Sequence, residues 1–209
     1  ALGQNKIWIR DVVVNEGWDD QPLLILYHIN VGFPVVDEGS KLISTSTAYV
    51  PRDEEAWKDH EKFGEFHPPV KGYKEKVYFH DMATDEKGYA YAAVVNEGFM
   101  GGKGLGVYVK FRKSQLCRFI EWKMMGEGTY VVGMEPANSL VLGRAKEREW
   151  GTLHFIKPGE EKVFEVEIGV LTNPEEIKAF KEKVNQVTKG VKPKLFKTVD
   201  DFVKAAKPA

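Results

Sequence analysis

One cysteine, Cys117, stands in 209 residues, which excludes an internal disulfide framework and a zinc cage built from cysteines. No apolar run approaches the length of a membrane span. The first ten residues, ALGQNKIWIR, lack the basic start and apolar stretch of a secretory leader. An excess of either charge is missing too. Thirty basic and 31 acidic residues leave a formal charge of −1, so nothing in the totals draws the chain to nucleic acid or to an acidic membrane. These absences lead us to expect a cytoplasmic protein in a reducing compartment, with no nucleic acid and no membrane as partner. A strand-like run, KIWIRDVVVNEG, begins within a few residues of Ala1 with no methionine before it, so a fragment or a processed product is expected.

Several catalytic patterns are lacking as well. No two histidines stand four apart as on a zinc-enzyme helix, no H-x-E deaminase pattern occurs, and no G-x-S-x-G elbow supports a hydrolase. We therefore expect neither a metal nor an organic cofactor. The glycine-rich GGKGLG, Gly101 to Gly106, leads into the strand-like VYVKF, where a dinucleotide loop needs a helix. It reads as a flexible hairpin.

What the chain does have is 43% hydrophobic and 29% charged residues, enough for a globular domain with a full core. Short β-branched and aromatic runs recur: Ile7 to Ile9, Val12 to Val14, Leu23 to Tyr27, Lys76 to Phe79, Tyr89 to Val95 and Val107 to Phe111. Thr129 to Val132, Thr152 to Ile156 and Val163 to Val170 complete the series. Turn residues separate them at NEG, EKG, NEGFMGG, MGEG and KPGEE. Close, regular spacing without intervening helices predicts an all-β antiparallel sandwich or barrel.

Helical signals come late. Asn173-Pro174-Glu175-Glu176 combines an N-cap, a proline in the first turn and acids at the positive end of the dipole, predicting a helix to about Val184. Thr198 can cap VDDFVKAAK, with Val199, Phe202 and Val203 on one face. The expected organisation is a sandwich over 1–172 and a helical extension over 173–209 packed on it. The charged stretch Pro51 to Gly72 reads as a long loop near the site, with a helical turn at Asp53 to Lys58.

Candidate chemistry starts with His28, at the mouth of the apolar run LLILY and just before Gly32 and Pro34. Such a histidine is either held rigidly toward a ligand or bonded to a backbone carbonyl in the core. His80 and Asp81 follow another strand, and neighbours on a strand face opposite ways, so at most one of them can face a given pocket. His60 and His67 lie in the charged loop, and His154 in TLHFI reads as packing. Glu135 ends the strand TYVVGM and precedes Pro136. There it can be desolvated and serve as a general base, or it can pair with Arg144 or Arg148 at a sheet edge. Trp122 offers an apolar face for a sugar ring, and Asn138 and Arg144 offer hydrogen bonds.

DVVVNEGWDDQPLLILYHINVGFPVVDEGS resembles the aldose 1-epimerase segment in which a V-x-N-x-G strand leads to the catalytic histidine, and GTYVVGMEPAN resembles the strand ending in the catalytic glutamate. VYFHD, the GR-RE-G spacing, PGE and VEIGVL extend the likeness over roughly residues 5 to 172, to an uncharacterised branch of that superfamily. The resemblance implies the galactose mutarotase-like supersandwich, with His28 as general acid, Glu135 as general base, and His80 or Asp81 where a sugar-hydroxyl ligand falls. It implies a small-molecule sugar as partner and aldose 1-epimerase activity; the same features suit a non-catalytic carbohydrate-binding or regulatory module. An acidic or phosphorylated sugar would be met by Arg10, Arg144 or Arg148. Asn30-Val31-Gly32-Phe33 replaces the Tyr-Phe-Asn-Leu of galactose-specific members, so substrate identity does not carry over. Epimerases also carry an earlier part of the sandwich with a further histidine and an arginine. Its lack here predicts exposed strand edges and either a homo-oligomer or a partner chain supplying the missing strands.

Overall fold

The computed structural model describes residues 3–206. Its strands are β1 (Lys6–Val14), β2 (Gln21–Pro22), β3 (Ile29–Gly32), β4 (Lys41–Ser44), β5 (Ser46–Pro51), β6 (Lys76–Met82) and β7 (Tyr89–Asn96). β8 (Leu105–Arg112), β9 (Arg118–Gly126), β10 (Thr129–Ala137), β11 (Phe155–Ile156), β12 (Glu161–Leu171) and β13 (Lys194–Leu195) follow. One sheet runs in the order β1-β12-β8-β7-β4 and a second in the order β13-β5-β6-β9-β10-β3, while β11 and β2 form a small pair. Every ladder is antiparallel except β13 on β5. This is the all-β antiparallel sandwich that the sequence predicted.

The sheets are held face to face by alternate residues. Phe119, Met125, Val132 and Met134 of one meet Val94, Val109, Phe111, Phe164 and Val166 of the other. Phe111 and Phe119 stack with ring centroids 6.3 Å apart. Burying side chains of this size contributes about 1.5–3 kcal/mol each, and it is alternation on the strands that directs them inward.

A second apolar cluster lies on the outer face of the β9–β10 sheet. It contains Val77, Phe79, Ile120 and Ala137, together with Phe202 and Val203 from a C-terminal helix. Helices α1 (Glu54–Trp57), α2 (Arg144–Trp150), α3 (Pro174–Thr188) and α4 (Val199–Ala205) are set by their caps. Asp53, Asn173 and Thr198 each accept a backbone N–H three residues on. The expected helix after Asn173 extends four residues beyond Val184 and stops at Lys189, in the left-handed region at φ 53°.

Local expectations differ from the structure in places. Leu23 to Tyr27 is not a ladder strand: it is an extended segment with one bridge, Leu26 to Ala137. Of Thr152 to Ile156 only Phe155–Ile156 pairs. Strand β9 escapes an alternation test because Glu121 and Lys123, both buried, occupy inward positions. Helix α2, RAKEREW, is charged almost throughout and carries no apolar stripe that would announce it.

Candidate active site

Strand β10 builds the site from both ends. Glu135 lies opposite Ile120 in the β9–β10 ladder, and Gly133 lies opposite Trp122, so Gly133, Glu135 and Trp122 share one face of the sheet. The His28 segment is fastened to the far end of the same strand. Tyr27 donates its N–H to Pro136 O at 3.0 Å, Leu26 bridges Ala137, and Asn138 accepts Ile25 N–H at 2.8 Å while donating to Leu23 O at 2.9 Å. The chain thus delivers His28 beside Glu135.

His28 Nε2 stands 3.0 Å from Glu135 Oε1. The distance suits a hydrogen bond, but the angles do not, and Oε1 has no hydrogen-bond partner among the described residues. We therefore describe the pair as an unlocked contact, with freedom for either group to turn to a third atom. The His28 side chain is 44% exposed, whereas Glu135 is 3% exposed. Burial, reinforced by the negative charge of Glu75, pushes the Glu135 carboxyl up to about 7.

Trp122 meets the His28 ring edge-on at 5.5 Å and donates its indole N–H to Glu75 at 2.7 Å. Arg52 donates to the other Glu75 oxygen at 2.9 Å and to Asp53 at 2.7 Å. The indole and the guanidinium together hold Glu75 below the ordinary carboxylate range. Gly133 is the floor: a Cβ there would stand 2.5 Å from Glu135 Oε1 and 3.0 Å from His28 Cε1. The site is an open shelf with one buried acid, one exposed imidazole, an indole wall and an ionic rim.

The structure brings together His28, Glu135 and Trp122 of the residues singled out in the sequence. His80 stands elsewhere, fully buried beside Tyr49, Phe63 and Phe119, with Nδ1 3.0 Å from Ser46 Oγ and Nε2 3.8 Å from Glu121. Asp81 pairs with Lys113 at 2.8 Å. Asn138 accepts from and donates to the backbone of residues 23–25, so it positions the His28 segment. Arg144 is exposed at the start of α2, and Arg10 lies 4.0 Å from Glu165 on β12. Glu135 pairs with neither Arg144 nor Arg148. Arg52, Glu75 and Gly133 were not foreseen; Arg52 lies at the start of the charged stretch Pro51 to Gly72 and Glu75 three residues past its end. Among the described residues no three His, Cys, Asp or Glu side chains gather as a metal would require, and no helix is long and apolar enough to cross a membrane.

The pattern of a family described as a domain of unknown function, DUF4432, matches residues 1–170. The chain belongs to that family. No curated protein matches this DUF4432 member significantly. Among solved structures, its fold matches a protein from Klebsiella pneumoniae subsp. pneumoniae provisionally described as an aldose 1-epimerase, with a TM-score of 0.88 and 24% identity over 94% of this chain and 50% of that one. The Slr1438 protein from Synechocystis sp. PCC 6803 is similar with a TM-score of 0.54 and 15% identity, over 81% of this chain and 52% of that one. The DUF4432 chain spans about half the length of these structures.

Proposed function

We propose that this domain carries the acid–base pair of an aldose 1-epimerase-like isomerase, interconverting sugar anomers by opening and reclosing the ring. The observation that carries the reading is the 3.0 Å approach of His28 to Glu135, with a carboxyl raised to about 7. The ring oxygen and the anomeric hydroxyl of a sugar share one carbon, so groups set side by side can reach both. In this reading Glu135 takes the proton of the anomeric hydroxyl while protonated His28 gives one to the ring oxygen. The C1–O5 bond breaks, the aldehyde forms, C1–C2 rotates, and the reverse transfers close the other anomer. A base that titrates near the working pH is well matched to this work, and each proton transfer contributes about 10²–10⁴-fold. Trp122 supports the reading as an apolar wall, and Glu75 with Arg52 as a polar rim for hydroxyls. None of these steps calls on a group beyond the chain's own side chains.

A second reading, a non-catalytic sugar-binding module, is favoured by the exposure of His28, whose side chain is 44% open to solvent. Anomer exchange followed by polarimetry or NMR on freshly dissolved aldoses separates the two. Acceleration by the protein, abolished in both Glu135→Gln and His28→Asn with sugar binding retained, is the expected outcome. Exchange at an unchanged rate in Glu135→Gln refutes the acid–base assignment. Saturable quenching of tryptophan emission by sugar, without any acceleration, establishes the binding module.

A further inference from the structure

The alternation that turns Ala90, Ala92, Val109 and Phe111 into the core sends Tyr89, Tyr91, Lys110 and Arg112 to the outer face of the five-stranded sheet. Tyr89 lies opposite Arg112, and Tyr91 opposite Lys110. The β6–β7 turn and the C-terminal half of α3 border this patch, and the three together form a groove of about 940 Å³. Phe180 fixes the helix there by packing its ring against Tyr91 and Tyr108. Five groove side chains are cationic, Lys87, Lys110, Arg112, Lys183 and Lys189, while Asp85 and Glu86 are acidic. In a chain of formal charge −1, that is a local concentration of positive charge. Glu135 and Trp122 stand on the other sheet, so the groove is separate from the shelf described above.

A charged sheet face is ordinarily a solvated one, with opposite charges paired across strands. Part of this face is of that kind. Lys110 lies 3.7 Å from Glu167, and Arg112 Nε 3.5 Å from Glu165, both on β12. The groove itself departs from the pattern. Its acid Asp85 is already committed, accepting the Tyr91 hydroxyl at 2.6 Å and the N–H groups of Lys87 and Tyr89 at 3.0 Å. Lys183 stands 3.2 Å from the same carboxylate, so Asp85 fixes the turn and the helix lysine relative to each other. Lys110 and Arg112 are steadied in turn by the Tyr89 ring, 4.4 and 4.3 Å from its centre. Lys87 and Lys189 have no carboxylate within ion-pair distance among the described residues. Lys189 also sits in the left-handed region at φ 53°, a place where helix ends usually take glycine. A lysine inside the last turn would serve the helix dipole equally well without that backbone. The strained position instead sets an ammonium on the groove wall.

We propose that this groove is a binding site for a small phosphorylated molecule, its phosphoryl oxygens held by Lys87, Arg112, Lys183 and Lys189. A phosphoryl group carries up to two charges on three acceptor oxygens, which matches cations that arrive from a turn, a strand and a helix. A single carboxylate, with two oxygens and one charge, would leave part of that set unused. The site makes no use of His28 or Glu135, so it stands or falls separately from the sugar chemistry.

Calorimetric titration of the whole chain with inorganic pyrophosphate at low salt tests this, with ADP and glucose 6-phosphate as further arms. The expected result is saturable binding of one equivalent that weakens as salt is added. Lys87→Gln and Lys189→Gly are each expected to weaken it about 10-fold. Lys178→Gln, which removes an exposed lysine of α3 outside the groove, is expected to leave affinity unchanged. In Lys189→Gly the unfolding midpoint is expected to hold or rise as affinity falls, because glycine takes the left-handed backbone without strain. ADP binding more tightly than pyrophosphate identifies the ligand as a nucleotide, and tighter glucose 6-phosphate identifies a sugar phosphate. Unchanged affinity in Lys189→Gly and Lys87→Gln overturns the proposal. So does equal weakening in Lys178→Gln, which marks diffuse attraction, or the lack of saturable binding by all three probes.

Discussion

Glu135 is held in an environment that opposes its charge, and the consequence for stability has a definite sign. Its carboxyl sits at about 7 in the folded protein against an ordinary 4.5. The folded state therefore binds the proton more tightly than the unfolded chain. The associated stability is complete below about 4.5 and is lost as the pH rises through about 7, an effect on the order of 3 kcal/mol. Glu135→Gln cannot ionise, so its stability relative to the parent is expected to improve between pH 5 and pH 8. Urea denaturation at the two values checks this, and a difference that does not change with pH contradicts the raised pKa. Gly133 is the other decisive residue. Gly133→Ala forces a methyl against Glu135 Oε1 and His28, so we expect a loss of about 1–3 kcal/mol from overpacking. We also expect a fall in anomer exchange beyond what that destabilisation explains, with Gly133→Ala read beside a Gly64→Ala control whose nearest neighbours are atoms of Leu42. At this scale the sequence was informative where a side chain ends a strand: Glu135 before Pro136 and His28 after an apolar run could both be picked out. Arg52 and Glu75 could not, because only the β5–β6–β9 pairing brings the two ends of their loop to Trp122.

Among the elements, the segment Leu23–Tyr27 matters most, because it positions the imidazole without belonging to either sheet. Its hydrogen bonds run to Asn138, Pro136 and His154 O, so it behaves as a strap over the end of β10. Read as a sequence, LLILY has the composition of a strand. It does not become one because β3, four residues long, already occupies the β10 edge at Val131 to Met134. Asn138→Ala removes both side-chain bonds and leaves Ile25 N–H and Leu23 C=O without partners. A cost of about 2–4 kcal/mol is expected, with faster amide exchange at Ile25. If the strap's task is to place His28, kcat should fall more than sugar affinity does. Equal loss of both would show that Asn138 merely supports the fold.

Across the whole molecule, the outer face of the β9–β10 sheet is shared between structure and chemistry. One part is roofed by α4, where Phe202 and Val203 join Ile120, Phe79 and Ala137, and the adjoining part carries the half-buried Trp122 and the buried Gly133 and Glu135. Arg118, itself buried, lies over the Phe202 ring at 5.6 Å and donates to Ala206 O, and Trp150 of α2 donates to Asp200 at 2.6 Å. Turn residues made the all-β class legible and caps made the C-terminal helices legible. The docking of α4 on the site's own sheet was not, since an apolar helix face names no partner by itself. The same cluster includes Leu26 and Trp122 at its margin, so the roof and the site share packing. Phe202→Ala opens a cavity under α4 and is expected to cost about 3–5 kcal/mol. If roof and site are one cooperative body, Trp122 and the strap around Ile25 will gain exchange and lose emission intensity in the same unfolding transition as α4. If α4 is an independent appendage, exchange will rise only over residues 194–206 while β9 and β10 keep their protection. The continuity of the apolar cluster favours the first outcome, and exchange measured peptide by peptide on the parent and Phe202→Ala decides between them.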